Sequence, residues 1–271
     1  MTRTTKAVIL ARGLGSRMRS SDGSDTLDAA QSKVADAGVK GMIPIGRPFL
    51  DYVMSALADA GITDICLVIG PEHDVVRRYY GGEVALERVR VHFALQAEPL
   101  GTADAVAASA DFAAGDHVLV LNADNYYPVR AYDALASLGA SGLVGFGIDA
   151  LVRESNIPAE RVRSFALVEH EAGWLTSIVE KPDEKTFARL AGHALVSMNL
   201  WSFSPVIFEA CARVRPSWRG ELELQDAVRL AMEDFGEPFR VIPCDAGVLD
   251  LSSRRDIAAV TERLAGVEVV L

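Results

Sequence analysis

The stretch Ala7-Val8-Ile9-Leu10-Ala11-Arg12-Gly13-Leu14-Gly15-Ser16-Arg17-Met18 decides how this chain is read. Its first four residues are an apolar run that predicts a buried strand over 6–10. Glycines, a hydroxyl and an arginine follow at once. The order strand, glycine turn, arginine, helix is a way to hold a polyphosphate. Glycine lets backbone N–H groups approach phosphate oxygens, a helix N-terminus adds partial positive charge, and Arg17 offers a planar fork of donors. The stretch therefore points to a nucleotide at the start of the first crossover, where open α/β sheets place their ligands. It matches neither the dinucleotide pattern, since Met18 stands at the third glycine, nor the Walker pattern, which needs a lysine.

Working outward, strand-like runs at 6–10, 65–69, 90–95 and 118–122 alternate with helical patterns near 48–60, 73–80, 102–111 and 131–138. That alternation predicts an α/β sheet with crossovers. Val118-Leu119-Val120-Leu121 is apolar on both faces, as a central parallel strand should be. The second half is more mixed, with strands expected at 143–148, 164–169, 174–180 and 195–203 and helices at 205–213, 222–234 and 252–263. No repeat or linker divides the chain, so 1–271 reads as one domain with two lobes, about 1–140 and about 141–271. Residues 20–39 are polar and turn-forming at their start and read as a mobile flap. Asp22, Asp25 and Asp28 lack the signature of a calcium loop and read as solvated.

Half of the 271 residues are hydrophobic and 24% charged, a globular composition with a sizeable core. With 27 basic against 37 acidic residues the net charge is −10, which argues against a long nucleic acid as partner. Arg12, Arg17 and Arg19 stand out against that background. Cys66, Cys211 and Cys244 are too far apart for a zinc pattern or a disulfide framework. Cys66, in Ile65-Cys66-Leu67-Val68-Ile69, reads as a small core residue. No signal-like start and no apolar run of membrane-spanning length are present, so no membrane partner and a cytoplasmic protein are expected.

Five further segments could carry chemistry. Lys40 precedes the apolar-Pro-apolar-Gly turn Met42-Ile43-Pro44-Ile45-Gly46; alone, it reads as a solvated charge. In Gln96-Ala97-Glu98-Pro99-Leu100-Gly101-Thr102-Ala103, Pro99 and Gly101 shape a turn and Thr102 is placed to cap the next helix. Asn122-Ala123-Asp124-Asn125 ends the central strand, where a carboxylate lies in the ligand crevice and suits Mg²⁺. Glu180-Lys181-Pro182 ends another strand, its two charges on opposite faces if the strand stays regular. Asp250, in Gly247-Val248-Leu249-Asp250-Leu251-Ser252, is either a helix cap or the second carboxylate of a metal shared with Asp124.

This ordered set resembles the sugar-phosphate nucleotidylyltransferases, or NDP-sugar pyrophosphorylases. The family pattern is Gly-x-Gly-Thr-Arg-[Leu/Met], a Lys before apolar-Pro-apolar-Gly, Gln-x-x-Pro-x-Gly-[Thr/Leu]-Ala, Gly-Asp-Asn, Glu-Lys-Pro and a late Asp-x-Gly. Six counterparts occur here in order, across 6–257. Arg219-Gly220-Glu221-Leu222-Glu223-Leu224-Gln225-Asp226 also looks like the Arg-Gly-Glu-x-Glu-x-x-Asp stretch of members that use pyrimidine nucleotides. Departures include Ser16 for Thr, Val39 for a Pro before the lysine, Ala123 for Gly before Asp124, and Leu251-Ser252 after Asp250.

The resemblance implies a Rossmann-like three-layer α/β sandwich with a mixed, mostly parallel central sheet. It also implies transfer of a nucleotidyl group from an NTP, UTP or dTTP by the look of 96–102, to a sugar 1-phosphate, with Mg²⁺ as cofactor. Gly13, Gly15, Ser16 and Arg17 would wrap the phosphates, with Leu10 and Ala11 also nucleotide-binding. Lys40 would reach the reacting phosphates, and Gln96, Gly101 and Thr102 would border the base. Asp124 and Asp250 would hold Mg²⁺. Glu180 would orient the sugar and Lys181 its phosphate, with Gly145 and Asn199 at sugar-contacting positions. Arg17, Lys40 and Lys181 would be the catalytic cations. Two other readings stand beside this one: a metal-dependent glycosyltransferase of the related fold, and a non-catalytic sugar-nucleotide sensor. A homo-oligomer stays open.

Overall fold

A computed structural model describes residues 3–13, 15–20 and 27–271. Its strands are β1 (Lys6–Leu10), β2 (Asp64–Ile69), β3 (Arg90–Leu95), β4 (Val118–Asn122), β5 (Asn125–Tyr126), β6 (Gly142–Phe146), β7 (Ala166–Glu171), β8 (Trp174–Val179), β9 (Leu195–Phe203), β10 (Arg240–Cys244) and β11 (Leu249–Asp250). Nine of them form one sheet in the order β3-β2-β1-β4-β9-β6-β10-β8-β7, and β5 and β11 form a small antiparallel ladder. The first four strands are mutually parallel. Parallel β6 and β10 continue the sheet, and β9 enters antiparallel to both β4 and β6.

Strand alternation splits the core into two layers. Ala7, Ile9, Ile65, Leu67, Leu119 and Leu121 pack on one face, and Val8, Cys66, Val68, Val118 and Val120 on the other. Helices cover both faces, giving the three-layer sandwich. The chain runs from β1 to β2 and β3 on one side, then returns to lay β4 on the other. β1 and β4 thus flank a topological switch point, where loops diverge and leave a crevice at the strands' C-terminal ends.

The expected strands of the first half are present within a residue of their predicted ends. The helix expected over 102–111 is two, Thr102–Ala107 and Ala110–Ala113. β10 escaped notice because Pro243 interrupts its apolar run. The flap is not uniform: Ala29–Ala37 is a helix, opened by an Asp28–Gln31 capping box and closed by Gly38 in the left-handed region. Asp28 is therefore a helix cap, while Asp22 and Asp25 lie outside the described residues.

Candidate functional site

Two adjoining cavities lie at the switch point. The first, about 330 Å³, is lined at its floor by Leu10, Ala11 and Gly13 after β1 and by Asn122, Ala123 and Asp124 after β4. Lys40 and Gly41 close one end, and Gln96, Pro99 and Gly101 the other. The second, about 150 Å³, shares Leu10, Thr102, Asn122 and Glu221 with the first and adds Glu180, Asn199 and Arg219. A larger hollow of about 810 Å³ lies beyond Glu180, between β8 and the helix Leu224–Phe235. Its wall carries Glu180, Glu223, Asp226 and Glu233, and its Arg229 is paired with Asp226. Size favours that hollow for a large ligand, but its charge repels a polyphosphate. The first of the smaller pair at the strand ends, lined by Arg12 and Lys40, suits one better.

Backbone bonds explain why distant motifs meet here. Leu222 N–H donates to Leu100 O at 2.8 Å, and Ala103 N–H donates to Leu222 O at 2.9 Å. A Cβ on Gly101, whose φ is +130°, would lie 2.4 Å from Leu222 O, so only glycine lets the two segments close. Thr102 does not cap its own helix. Its Oγ1 accepts Leu224 N–H at 2.9 Å, satisfying a free donor at the start of Leu224–Phe235.

Gln96 is buried, and its amide orientation is fixed. Nε2 donates to Gly101 O at 3.0 Å and to Asp104 Oδ2 at 2.8 Å. Both partners only accept, so Oε1 is the atom left for the cavity, as an acceptor.

Lys40, on the short turn Lys40–Met42, places Nζ 2.8 Å from Asp124 Oδ2. Asp250 sits behind Asp124 on the β5–β11 ladder, with Leu251 N–H donating to Asp124 O at 2.8 Å. Its buried carboxylate accepts from Ser252 Oγ at 2.8 Å and Asn125 Nδ2 at 3.2 Å, and Arg161 Nη2 lies 3.1 Å away. Burial first, then the charge of Asp124, push the Asp250 carboxyl above its ordinary range, while Arg161 and Ser252 pull it down. A buried carboxylate raised by the charge of its neighbour is one that a divalent cation beside the pair would relieve. No larger group of His, Cys, Asp and Glu is gathered for a metal among the described residues. A pair of carboxylates suits Mg²⁺, which takes its other ligands from water and substrate phosphates. Asp250 is no helix cap: the helix begins at Asp256, which accepts Ser253 N–H at 2.7 Å.

Six expected site residues line neither cavity. Gly15, φ +61°, is held against the helix end at Gly38, where a Cβ would come within 2.3 Å of Gly38 O. That close approach by itself demands glycine here. Ser16 and Arg17 are exposed on the helix Ser16–Arg19, whose four residues give little macrodipole. Lys181 is exposed. β8 ends at Val179 and Lys181 turns into the left-handed region at φ +43°, so strand alternation does not set its direction. Gly145 is buried under Leu195, whose Cβ a side chain would meet at 2.8 Å. Asp250 lies one layer behind the wall.

Asn199 does face the second cavity, for a reason the sequence hides. Between Leu143↔Trp201 and Gly145↔Ser197, two steps along β6 match four along β9. The surplus forms a bulge, with Asn199 left-handed at φ +57°. Its Oδ1 accepts Gln225 Nε2 at 3.1 Å. The loop after β2, Gly70-Pro71-Glu72-His73, went unread. Arg12 lines the first cavity and its Nε lies 3.3 Å from Glu72 Oε1.

Comparisons with known proteins give the family and the fold. The model of the nucleotidyl transferase family matches residues 6–246. The low-salt glycan biosynthesis nucleotidyltransferase Agl11 of Haloferax volcanii is 31% identical over 84% of this chain and 57% of its own length. A glucose-1-phosphate thymidylyltransferase of Streptomyces griseus is 31% identical over 83% and 56%. The chain thus spans little more than half of these two relatives. The UTP–glucose-1-phosphate uridylyltransferase AglF of Haloferax volcanii is 26% identical over 96% of both chains. A solved UDP-glucose pyrophosphorylase in complex with UDP-glucose superposes with a TM-score of 0.72 at 18% identity, over 98% of this chain and 99% of that one.

Proposed function

The chain belongs to the nucleotidyl transferase family, and from that premise we propose that it joins a nucleoside triphosphate to a sugar 1-phosphate, releasing pyrophosphate. A sugar-phosphate oxygen attacks the α-phosphorus in line. The bond from that phosphorus to the β-phosphate bridge breaks, and pyrophosphate leaves with the electron pair. The attacking oxygen is already ionised, so no side-chain nucleophile is needed, and catalysis is alignment plus charge stabilisation.

The observation that carries this reading is the pair of connected cavities at the switch point, with Lys40 and Asp124 at one end and Gln96 and Gly101 at the other. The first is assigned to the nucleotide and the second, lined by Glu180 and Asn199, to the sugar. On this reading the lobes near 1–140 and 141–271 share these tasks unequally, since Leu10, Thr102 and Asn122 of the first and Glu221 of the second line both cavities. Two like unit charges 4 Å apart repel by about 4 kcal/mol at an effective dielectric near 20. Lys40 offsets part of that at the reacting phosphates. Arg17 and Lys181, both exposed, are assigned the flanking phosphates. Asp124 and Asp250 would hold Mg²⁺, which supplies Lewis-acid neutralisation of the triphosphate.

UTP and dTTP are favoured by Gln96, whose Oε1 acceptor suits a ring N–H. No helix among the described residues is long and apolar enough to cross a membrane. Three free, buried cysteines suit the reducing cytoplasm to which we assign the protein. The test is a matrix of five NTPs against several sugar 1-phosphates, read by Mg²⁺-dependent pyrophosphate release. Release with a uridine or thymidine triphosphate is expected; no release with any pair overturns the reading.

A further inference from the structure

We propose that Arg12 is a specificity-determining residue of the nucleotide cavity, donating from Nη1 to a ring carbonyl oxygen of the nucleobase. This rests on the function proposed above and adds a contact that the sequence motifs do not assign.

Arg12 lines the cavity, yet its side chain is only 8% exposed. One side of its guanidinium faces Glu72, with Nε 3.3 Å from Oε1 and Nη2 3.5 Å from Oε2. Nη1 is buried and has no hydrogen-bond partner. A guanidinium has five N–H donors and no acceptor, and a buried donor left without a partner is costly. A ligand that brings an acceptor to Nη1 recovers that cost.

The side chain is seated firmly. A Cβ on Gly70 would lie 2.4 Å from Arg12 Nε and from both Glu72 oxygens, so the ion pair lies directly over that glycine. Buried His73 accepts Gly70 N–H on Nδ1 at 3.2 Å, which leaves the proton of the neutral ring on Nε2, 3.8 Å from Glu72 Oε1. Glu72 is thus bracketed by His73 and Arg12, and the guanidinium is oriented before any ligand arrives.

Location separates base from phosphate. Gly70 follows β2, and β2 lies between β1 and β3. Arg12 therefore leans from the end of β1 toward the side where β3 delivers Gln96. Asp124 and Lys40 lie on the opposite, β4 side of β1. With the triphosphate at Lys40 and Asp124, the Arg12 side receives the base. A Gln96 acceptor for a ring N–H and an Arg12 donor for the neighbouring carbonyl complement uracil, thymine or guanine. Adenine and cytosine present the opposite pattern on that edge.

The test measures Mg²⁺-dependent binding of UTP, GTP, 2-thio-UTP, 4-thio-UTP and inorganic tripolyphosphate by calorimetry. It uses the wild-type chain, Arg12→Met, which keeps an apolar stem, and Arg12→Lys. Arg12→Met is expected to weaken binding of the preferred nucleotide about 10-fold or more and to change tripolyphosphate binding less than about 2-fold. If UTP is preferred, one thio analogue, with its poor sulfur acceptor facing Arg12, binds the wild type more weakly than UTP but binds Arg12→Met as well as UTP does. If Arg12→Met does not fold, Arg12→Lys, which loses the fork but keeps the charge, is expected to show the same pattern at reduced size. Equal losses for nucleotide and tripolyphosphate make Arg12 a phosphate contact and overturn the proposal, as does unchanged nucleotide affinity. A wild-type chain that binds tripolyphosphate but prefers no nucleotide over it overturns the parent reading too.

Discussion

Lys40 Nζ lies 2.8 Å from Asp124 Oδ2, so a cation already pairs with the carboxylate we assign to Mg²⁺. A triphosphate entering with Mg²⁺ would give each of them a new partner. Asp124→Ala is expected to leave a folded protein with kcat reduced about 100-fold or more. Lys40→Met is expected to cost about as much. Steady-state pyrophosphate release at saturating Mg²⁺ measures both; near-normal kcat in Asp124→Ala removes that residue from the metal site. Chelation should abolish turnover and added Mg²⁺ restore it.

Thr102 lines both cavities and ties the wall of the first to that of the second through its bond to Leu224 N–H. Thr102→Val removes the acceptor at nearly constant volume and should cost about 1 kcal/mol, the usual worth of a helix cap. The KM values for both substrates should rise together, because the bond joins both walls. Thr102→Ser should recover most of the loss. Urea denaturation and two-substrate kinetics provide the readouts; a rise confined to one substrate would separate the walls.

Gly13 and Gly15 should fail in different ways. A Cβ at Gly13 meets nothing within 4 Å, whereas at Gly15 it meets the Gly38 backbone with φ at +61°. Gly15→Ala is expected to lose about 1–3 kcal/mol of stability. Gly13→Ala should melt near the wild-type Tm yet bind NTP more weakly, because Gly13 lines the cavity. Thermal melts with and without nucleotide distinguish packing from binding.

His73 gives a pH dependence with a definite sign. Burial is the main cause that holds its pKa below the ordinary 6.5; Glu72 opposes, and Arg12, Arg77 and Arg19 add to the lowering. The folded state favours the neutral ring, while the unfolded chain binds a proton near pH 6.5. Stability from this group is complete above that value and is lost as pH falls through it toward the folded-state pKa. The limiting slope is about 1.4 kcal/mol per pH unit for one proton. His73→Asn, able to accept Gly70 N–H without titrating, should flatten the wild-type decline between roughly pH 8 and 5. Parallel stability profiles would assign the decline to other groups.

The sheet and half of the site were legible because periodicity and motif order report on backbone and chain direction. β1, β4 and β9 follow from their apolar runs, Asp124 from its place at a strand end, and Leu10, Gln96 and Gly101 from the family resemblance. What stayed hidden depends on contacts between distant segments. Arg12 stands out in the sequence only as one of three arginines near the glycine turn; its role depends on Gly70, Glu72 and His73, which fold beneath it. Asp250 reads equally as a helix cap or a metal carboxylate, because sequence cannot show Arg161 and Ser252 packed against its carboxylate. Arg17 was expected inside the cavity, and its outward position follows from the turn Gly15 makes against Gly38.

The bulge at Asn199 has an implication for chain-length variation. Because the surplus in β9 is even, Val196, Met198 and Leu200 stay with one core and Trp201 and Phe203 with the other on either side of it. Excising two residues there would restore regular pairing without turning any hydrophobic face outward, whereas excising one would invert half the strand. A shortened descendant could thus keep its sheet while losing the Asn199 amide from the second cavity, at the expense of one buried core side chain, Met198 or Leu200.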